Sequence, residues 1–241
     1  MYLKKKLETI FHRLIRKTGY DLVKCKYSKH EQEIEQLLIS HQFTCVLDIG
    51  ANEGQYAKEI RIGGYKNRII SFEPIAVPFA KLRQKSANDA SWDVYNIAMG
   101  DTNGKAEINI AGNSVSSSLL DINKTHTDAA PDSKYIGKQA IEIRTLDSIF
   151  NELKVKDQKI FMKVDTQGFE KNVLLGAKSV LKSISAIQLE MSVQPLYTGE
   201  DLYFQLSDYL YKEGFRLIKI VRGITKSNGE LLQFDGVFLR G

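Results

Sequence analysis

The spacing of apolar positions changes near residue 44. Before it, Leu3, Leu7, Ile10, Phe11, Leu14 and Ile15 recur every three or four residues with lysines and arginines between them. That spacing predicts an amphipathic basic helix, with Gly19 as a plausible stop. A second helical stripe, Ile34, Leu37 and Leu38, falls within residues 30–40. From residue 44, short apolar runs (44–49, 68–72, 94–98, 160–164, 186–190) alternate with amphipathic stretches (55–62, 77–86, 169–181). A buried run followed by an amphipathic helix, repeated, predicts βαβ units and a parallel sheet covered on both faces. Residues 106–110 and 140–143 predict strands around a polar, aperiodic stretch, 112–137, expected to be functional or mobile. The chain then reads as a helix over 202–212, a strand over 215–221, a turn at 226–229 and a strand over 232–239. Ser227-Asn228-Gly229 is turn chemistry, so the last two strands should form an antiparallel hairpin.

Composition changes this picture little. The chain has 241 residues, 43% apolar and 26% charged, which is ordinary for a globular protein and excludes a disordered or collagen-like one. The two cysteines, Cys25 and Cys45, form no CxxC pair and no disulfide framework. The four histidines, His12, His30, His41 and His126, show no metal-ligand spacing, so no metal site is expected from them. No apolar run reaches membrane-spanning length, and Glu8, Arg13, Arg16 and Lys17 interrupt any signal-peptide core.

Charge divides the chain in two. Nine of the 34 Lys/Arg and two of the 29 Asp/Glu lie within residues 1–29, so that segment carries +7 and the remainder −2. A body without a basic face argues against nucleic-acid binding. The change of pattern near residue 44 and this charge division give the expected domains, a basic helical extension, 1–43, and an α/β domain, 44–241. Two readings fit the extension: packing on the domain or on a second subunit of a homodimer, and residues 1–17 lying at an anionic membrane surface. The expected location is the cytoplasm, with that helix as the candidate contact to the inner membrane surface.

Four runs carry candidate chemistry. In "VLDIGANEGQYA" (46–57) an apolar strand enters a turn bearing Gly50 and Gly54 and then a helix. The glycines permit positive φ and close backbone approach, and the helix start offers free N–H groups. Asp48, at the strand end, could take the amino group of a zwitterionic ligand. The third position of a dinucleotide GxGxxG fingerprint is here Asn52, and no GxxxxGK[ST] phosphate loop occurs. The second run, "IISFEP" (69–74), ends a strand on Glu73, an acid able to accept both hydroxyls of a ribose. The third ends at Asn96-Ile97-Ala98, whose small and amide groups suit an adenine edge. The fourth, "FMKVDTQGFE" (161–170), puts Lys163 and Asp165 on one strand face by period-two alternation, at the strand end where open α/β sheets bind ligands.

Together with "SSSLL" (116–120), "IEIRTLDSI" (141–149) and "IQLEMSVQPLYTGE" (187–200), these runs resemble the FkbM family of S-adenosylmethionine-dependent methyltransferases over roughly residues 44–240. The resemblance implies a class I, Rossmann-like α/β fold: a mostly parallel seven-stranded sheet, a C-terminal antiparallel hairpin and helices on both faces. It implies S-adenosyl-L-methionine as cofactor. Asp48, Gly50, Ala51, Asn52 and Gly54 would surround the methionine moiety, Glu73 and Pro74 the ribose, and Asn96 and Ala98 the adenine. Asp165 would lie nearest the transferred methyl, with Lys163 beside it and Asp165 or Glu190 as general base for a hydroxyl of a small-molecule or glycan acceptor. Gln167 stands where many members carry Glu. Two alternatives remain at this point: a non-catalytic nucleoside-binding module, and a metal-assisted enzyme holding Mg²⁺ on Asp165 and Glu190.

Overall fold

The computed structural model describes residues 33–226 and 228–241. The basic helix expected before residue 18 therefore lies outside the described residues, as does its membrane or subunit contact. The described helices are α1 (Glu33–Ser40), α2 (Gln55–Ile62), α3 (Ala76–Ser86), α4 (Lys124–Ala129), α5 (Leu146–Leu153), α6 (Glu170–Gly176) and α7 (Tyr203–Lys212). The strands are β1 (Cys45–Ile49), β2 (Arg68–Phe72), β3 (Trp92–Tyr95), β4 (Ala98–Met99), β5 (Gly104–Ala111), β6 (Tyr135–Arg144), β7 (Ile160–Val164), β8 (Ile184–Ser192), β9 (Phe215–Arg222) and β10 (Gln233–Arg240).

Seven strands form one sheet in the order β3-β2-β1-β7-β8-β10-β9. All neighbours are parallel except the pairs that β10 makes with β8 and β9. Period-two alternation sorts its side chains into two cores. Leu47, Met162, Val164 and Leu189 face α5, α6 and α7, while Val46, Phe161, Ala186 and Val237 face α1, α2 and α3. Leu38 of α1 and Phe43 are fully buried in the second core, so residues 33–43 are built into the same body as the sheet.

Three sequence expectations need correction. The run 94–98 is not one strand. It breaks after Tyr95, and β4 pairs instead with β6 in a three-stranded sheet of order β4-β6-β5. The stretch 112–137 is not wholly irregular. It contains α4, a bridge between Asn109 and Ser118, and another between Ile122 and Tyr197. The helix expected over 169–181 stops at Gly176, where a Cβ would lie 1.8 Å from the Gly100 carbonyl oxygen; a 3₁₀ turn follows at Leu181–Ser183.

Candidate active site

A cavity of about 320 Å³ opens at the carboxyl ends of the parallel strands. That is where an open α/β sheet binds ligands, because the strand order reverses there and the loops diverge. Alternation decides which side chains arrive. Asp48 shares the face of Val46, Lys163 and Asp165 that of Phe161, Gln188 and Glu190 that of Ala186, and Asp235 that of Val237. All six therefore gather on the α1–α3 side.

The turn after β1 forms one wall. Gly50, Asn52 and Gly54 all have positive φ (79°, 47° and 81°). A Cβ at Gly50 would lie 1.8 Å from the Asp165 carbonyl oxygen, so this glycine lets the ends of β1 and β7 meet. Gly54 is the N-cap of α2, and a Cβ there would meet Leu82 and Trp92. The close approach that these glycines permit is to protein, and Gly54 is not among the cavity's lining residues. Gly50, Ala51 and Asn52 do line it.

Asp48 does not reach the cavity. It is fully buried. Its Oδ2 accepts from Ser71 Oγ (3.0 Å), and its Oδ1 lies 3.7 Å from Lys163 Nζ. Trp92 Nε1 in turn donates to Ser71 Oγ (2.9 Å). Burial pushes the Asp48 carboxyl above its usual range, against the pull of Lys163 and Ser71. The sequence reading placed Asp48 on a ligand amino group; the structure places it under Lys163 as a buried support.

Glu73 lines the cavity and is nearly fully buried. Its two oxygens accept from the backbone N–H groups of Asn52 (2.9 Å) and Ile75 (2.8 Å), tying the β1 and β2 turns together. Burial raises its pKa to about 7, despite those two bonds. Pro74 and Ala98 line the cavity, together with Phe72, Ile97 and Ile108, as a mainly apolar slot beside Glu73. Asn96 is turned away from it. Its Nδ2 donates to the carbonyls of Glu73 (2.9 Å) and Pro74 (3.0 Å), so it shapes the turn that carries Glu73.

Lys163 and Asp165 meet as alternation requires, with Nζ 3.0 Å from Oδ2. Burial alone would lower the Lys163 pKa, but Asp165 and Asp48 outweigh it and keep the ammonium charged. Burial alone would raise the Asp165 carboxyl; Lys163, with hydrogen bonds from Glu190 and Gln167, holds it below its usual range. Glu190 goes the other way, pushed well above its usual range by burial and by the charge of Asp165. Within this pair the proton is therefore held more tightly by Glu190 than by Asp165.

Sequence reasoning gave no role to the residue joining them. Gln167 Nε2 donates to Asp165 Oδ1 (2.8 Å) and to Glu190 Oε2, and Tyr197 OH donates to Gln167 Oε1 (2.7 Å). The polar stretch is fastened to the same residue, because Ser118 Oγ donates to the Gln167 carbonyl (2.7 Å). Gln188 and Asp235 were also missed. Tyr56 OH donates to Gln188 Oε1 (3.1 Å) and Gln188 Nε2 to Asp235 Oδ2 (2.8 Å). The one available signal was a polar residue at the alternating position of an otherwise apolar strand, in "IQLEM" and "FDGVF". For the two-carboxylate Mg²⁺ reading, the Gln167 amide stands between the carboxylates. Among the described residues no three His, Cys, Asp or Glu side chains group as a metal site.

Strand order, the antiparallel β10 and a cavity over the ends of β1, β2 and β7 define the class I, Rossmann-like methyltransferase fold. The structure of magnesium protoporphyrin IX methyltransferase (ChlM) from Synechocystis PCC 6803, determined with bound SAM, shares this fold. It matches with a TM-score of 0.50 over 88% of this chain and 78% of that one, at 9% identity. The Methyltransferase FkbM domain model matches residues 48–217, and the chain belongs to that family. A curated relative, 2-O-methyltransferase NoeI of Sinorhizobium fredii (strain NBRC 101917 / NGR234), is 26% identical over 161 residues. That match covers 64% of this chain and 66% of that protein. S-adenosylmethionine is the cofactor of this class, and the residues present fit it. A buried carboxylate, Glu73, stands beside an apolar slot for a nucleoside, and the far end of the cavity is polar and acidic.

Proposed function

We propose that this chain transfers a methyl group from S-adenosylmethionine to a hydroxyl of a small molecule or glycan. The observation that carries the reading is an ionised Asp165 facing the cavity at the end of β7, beside the Gly50 turn. The 2-O-methyltransferase activity in the name of the curated relative supports a hydroxyl acceptor.

S-adenosylmethionine supplies an already activated sulfonium methyl, so the protein's task is to align two reactants and manage one proton. Glu73 and the slot at Ile97 and Ala98 hold the nucleoside. Asp165 would take the proton of the acceptor hydroxyl at a carboxylate oxygen as the hydroxyl oxygen gains the methyl and the sulfonium C–S bond breaks, leaving neutral S-adenosylhomocysteine. Lys163 keeps Asp165 ionised before the reaction, and Gln167 fixes the direction of its Oδ1. Glu190, whose carboxyl burial and the Asp165 charge push up, is a hydrogen-bonding neighbour of Gln167 rather than the base.

The test is transfer of radiolabelled methyl from S-adenosylmethionine to a panel of glycan and small-molecule hydroxyl acceptors, repeated with Asp165→Asn. The variant keeps the side-chain shape and should lose roughly 10²–10⁴-fold in rate, the usual contribution of a general base. An unchanged rate on an acceptor that the wild type methylates would remove Asp165 from that role.

A further inference from the structure

The cavity lining carries four carboxyl groups, Glu59, Glu73, Asp165 and Asp235, against one ammonium, Lys163. Glu73 spends both oxygens on backbone N–H groups, Asp165 is matched by Lys163, and Glu59 is engaged by a partner of its own. Asp235 differs. It lines the cavity and, among the described residues, accepts one hydrogen bond, from Gln188, and makes no ion pair. Gln188 is itself almost fully buried and is held at its other end by Tyr56 OH, so it aims Asp235 rigidly. Lys163 offsets part of the Asp235 charge from a distance, but a half-buried carboxylate with one neutral donor is under-compensated, and a cationic ligand group would supply what is missing.

The cofactor carries such a group. S-adenosylmethionine ends in an α-ammonium, and Asp48, which the sequence nominated for it, is sealed beneath Lys163. We infer that Asp235, aimed by Gln188, is the subsite for the α-ammonium of the cofactor. This rests on the methyltransferase reading above. In register, Asp235 stands opposite Glu190 on β8, so the ammonium end of the ligand lies over β8 and β10. The nucleoside end lies across β1, over β2 and β3. The polar residues Gln55 and Tyr56, in the first turn of α2, line the space between. Burial and the charge of Asp165 push the Asp235 carboxyl up when no cation is present, and an ammonium would reverse that direction.

The experiment is calorimetric titration of wild type and Asp235→Asn with two ligands: S-adenosylhomocysteine and its analogue with hydrogen in place of the α-amino group. Asn keeps an acceptor for Gln188, and a melting curve checks that the fold is intact. Wild type should bind S-adenosylhomocysteine roughly tenfold to a hundredfold more tightly than the deamino analogue, the scale of a hydrogen bond between charged groups. Asp235→Asn should lose a similar factor for S-adenosylhomocysteine and little for the analogue, because removing either partner removes the same interaction. If the variant binds S-adenosylhomocysteine as tightly as wild type does, or if the two losses multiply, the subsite assignment is overturned. If wild type binds neither ligand, the cofactor reading itself falls and takes the subsite with it.

Discussion

Glu73 sits between two turns, and its protonation should be visible in ligand affinity. Its folded pKa, about 7, lies above the ordinary value of 4.5 because burial outweighs two backbone N–H bonds. Between these values the folded chain holds a proton that the unfolded chain has lost. The group therefore favours the fold at the acid end of that window, and the contribution is lost as pH rises through about 7. Ligand binding runs in the opposite direction, since the ionised carboxylate is the better acceptor for ribose hydroxyls. Affinity for S-adenosylhomocysteine should fall about tenfold from pH 8 to pH 6, as the ionised fraction falls. Glu73→Gln should bind more weakly at pH 8 and lose this dependence. Calorimetry across the pH series checks it, and a wild-type dependence that survives in Glu73→Gln would assign the titration to another group.

At the scale of elements, the junction of β1, its turn and β7 sets the site. Gly50 combines a φ of 79° with a Cβ position 1.8 Å from the Asp165 carbonyl oxygen. Gly50→Ala should therefore destabilise the fold by about 3 kcal/mol or more, through left-handed strain and a backbone clash. It should also weaken cofactor binding, because it pushes β7 and Asp165 away. Denaturant unfolding measures the first effect, and a loss below about 1 kcal/mol would mean that the two strand ends are not so tightly joined. This junction was legible in the sequence, since a short apolar run ending in Asp-Ile-Gly and a second ending in Lys-Val-Asp are local patterns. So were the C-terminal hairpin and the Glu73 turn. The second sheet was legible in part. The patterns over 106–110 and 140–143 predict β5 and β6, but β4 has only two residues and reads as the end of the run 94–98. Nor could local pattern show that Asn96 points at the Glu73–Pro74 backbone, that Asp48 is roofed by Lys163, or that Gln167 joins Asp165 to Glu190. Those facts depend on register between strands far apart in the chain, such as Asp48 beside Lys163 and Lys163 beside Gln188.

Over the whole molecule, the strand order carries the function. It brings turns from β1, β2 and β7 to one edge and inserts β10 antiparallel beside β8, so that Asp235 reaches the same cavity as Glu73. Among the described residues no helix is long and apolar enough to cross a membrane. The central claim is that this cavity binds the methyl donor of the FkbM class rather than another nucleotide that sheets of this kind can hold. Titration of the full chain with S-adenosylhomocysteine and, separately, with NAD tests it most directly. The account predicts saturable binding of one S-adenosylhomocysteine per chain, weakened in Glu73→Ala, and no saturable binding of NAD. A cooperatively folded protein that binds NAD, or that gives no saturable binding with S-adenosylhomocysteine, would contradict it.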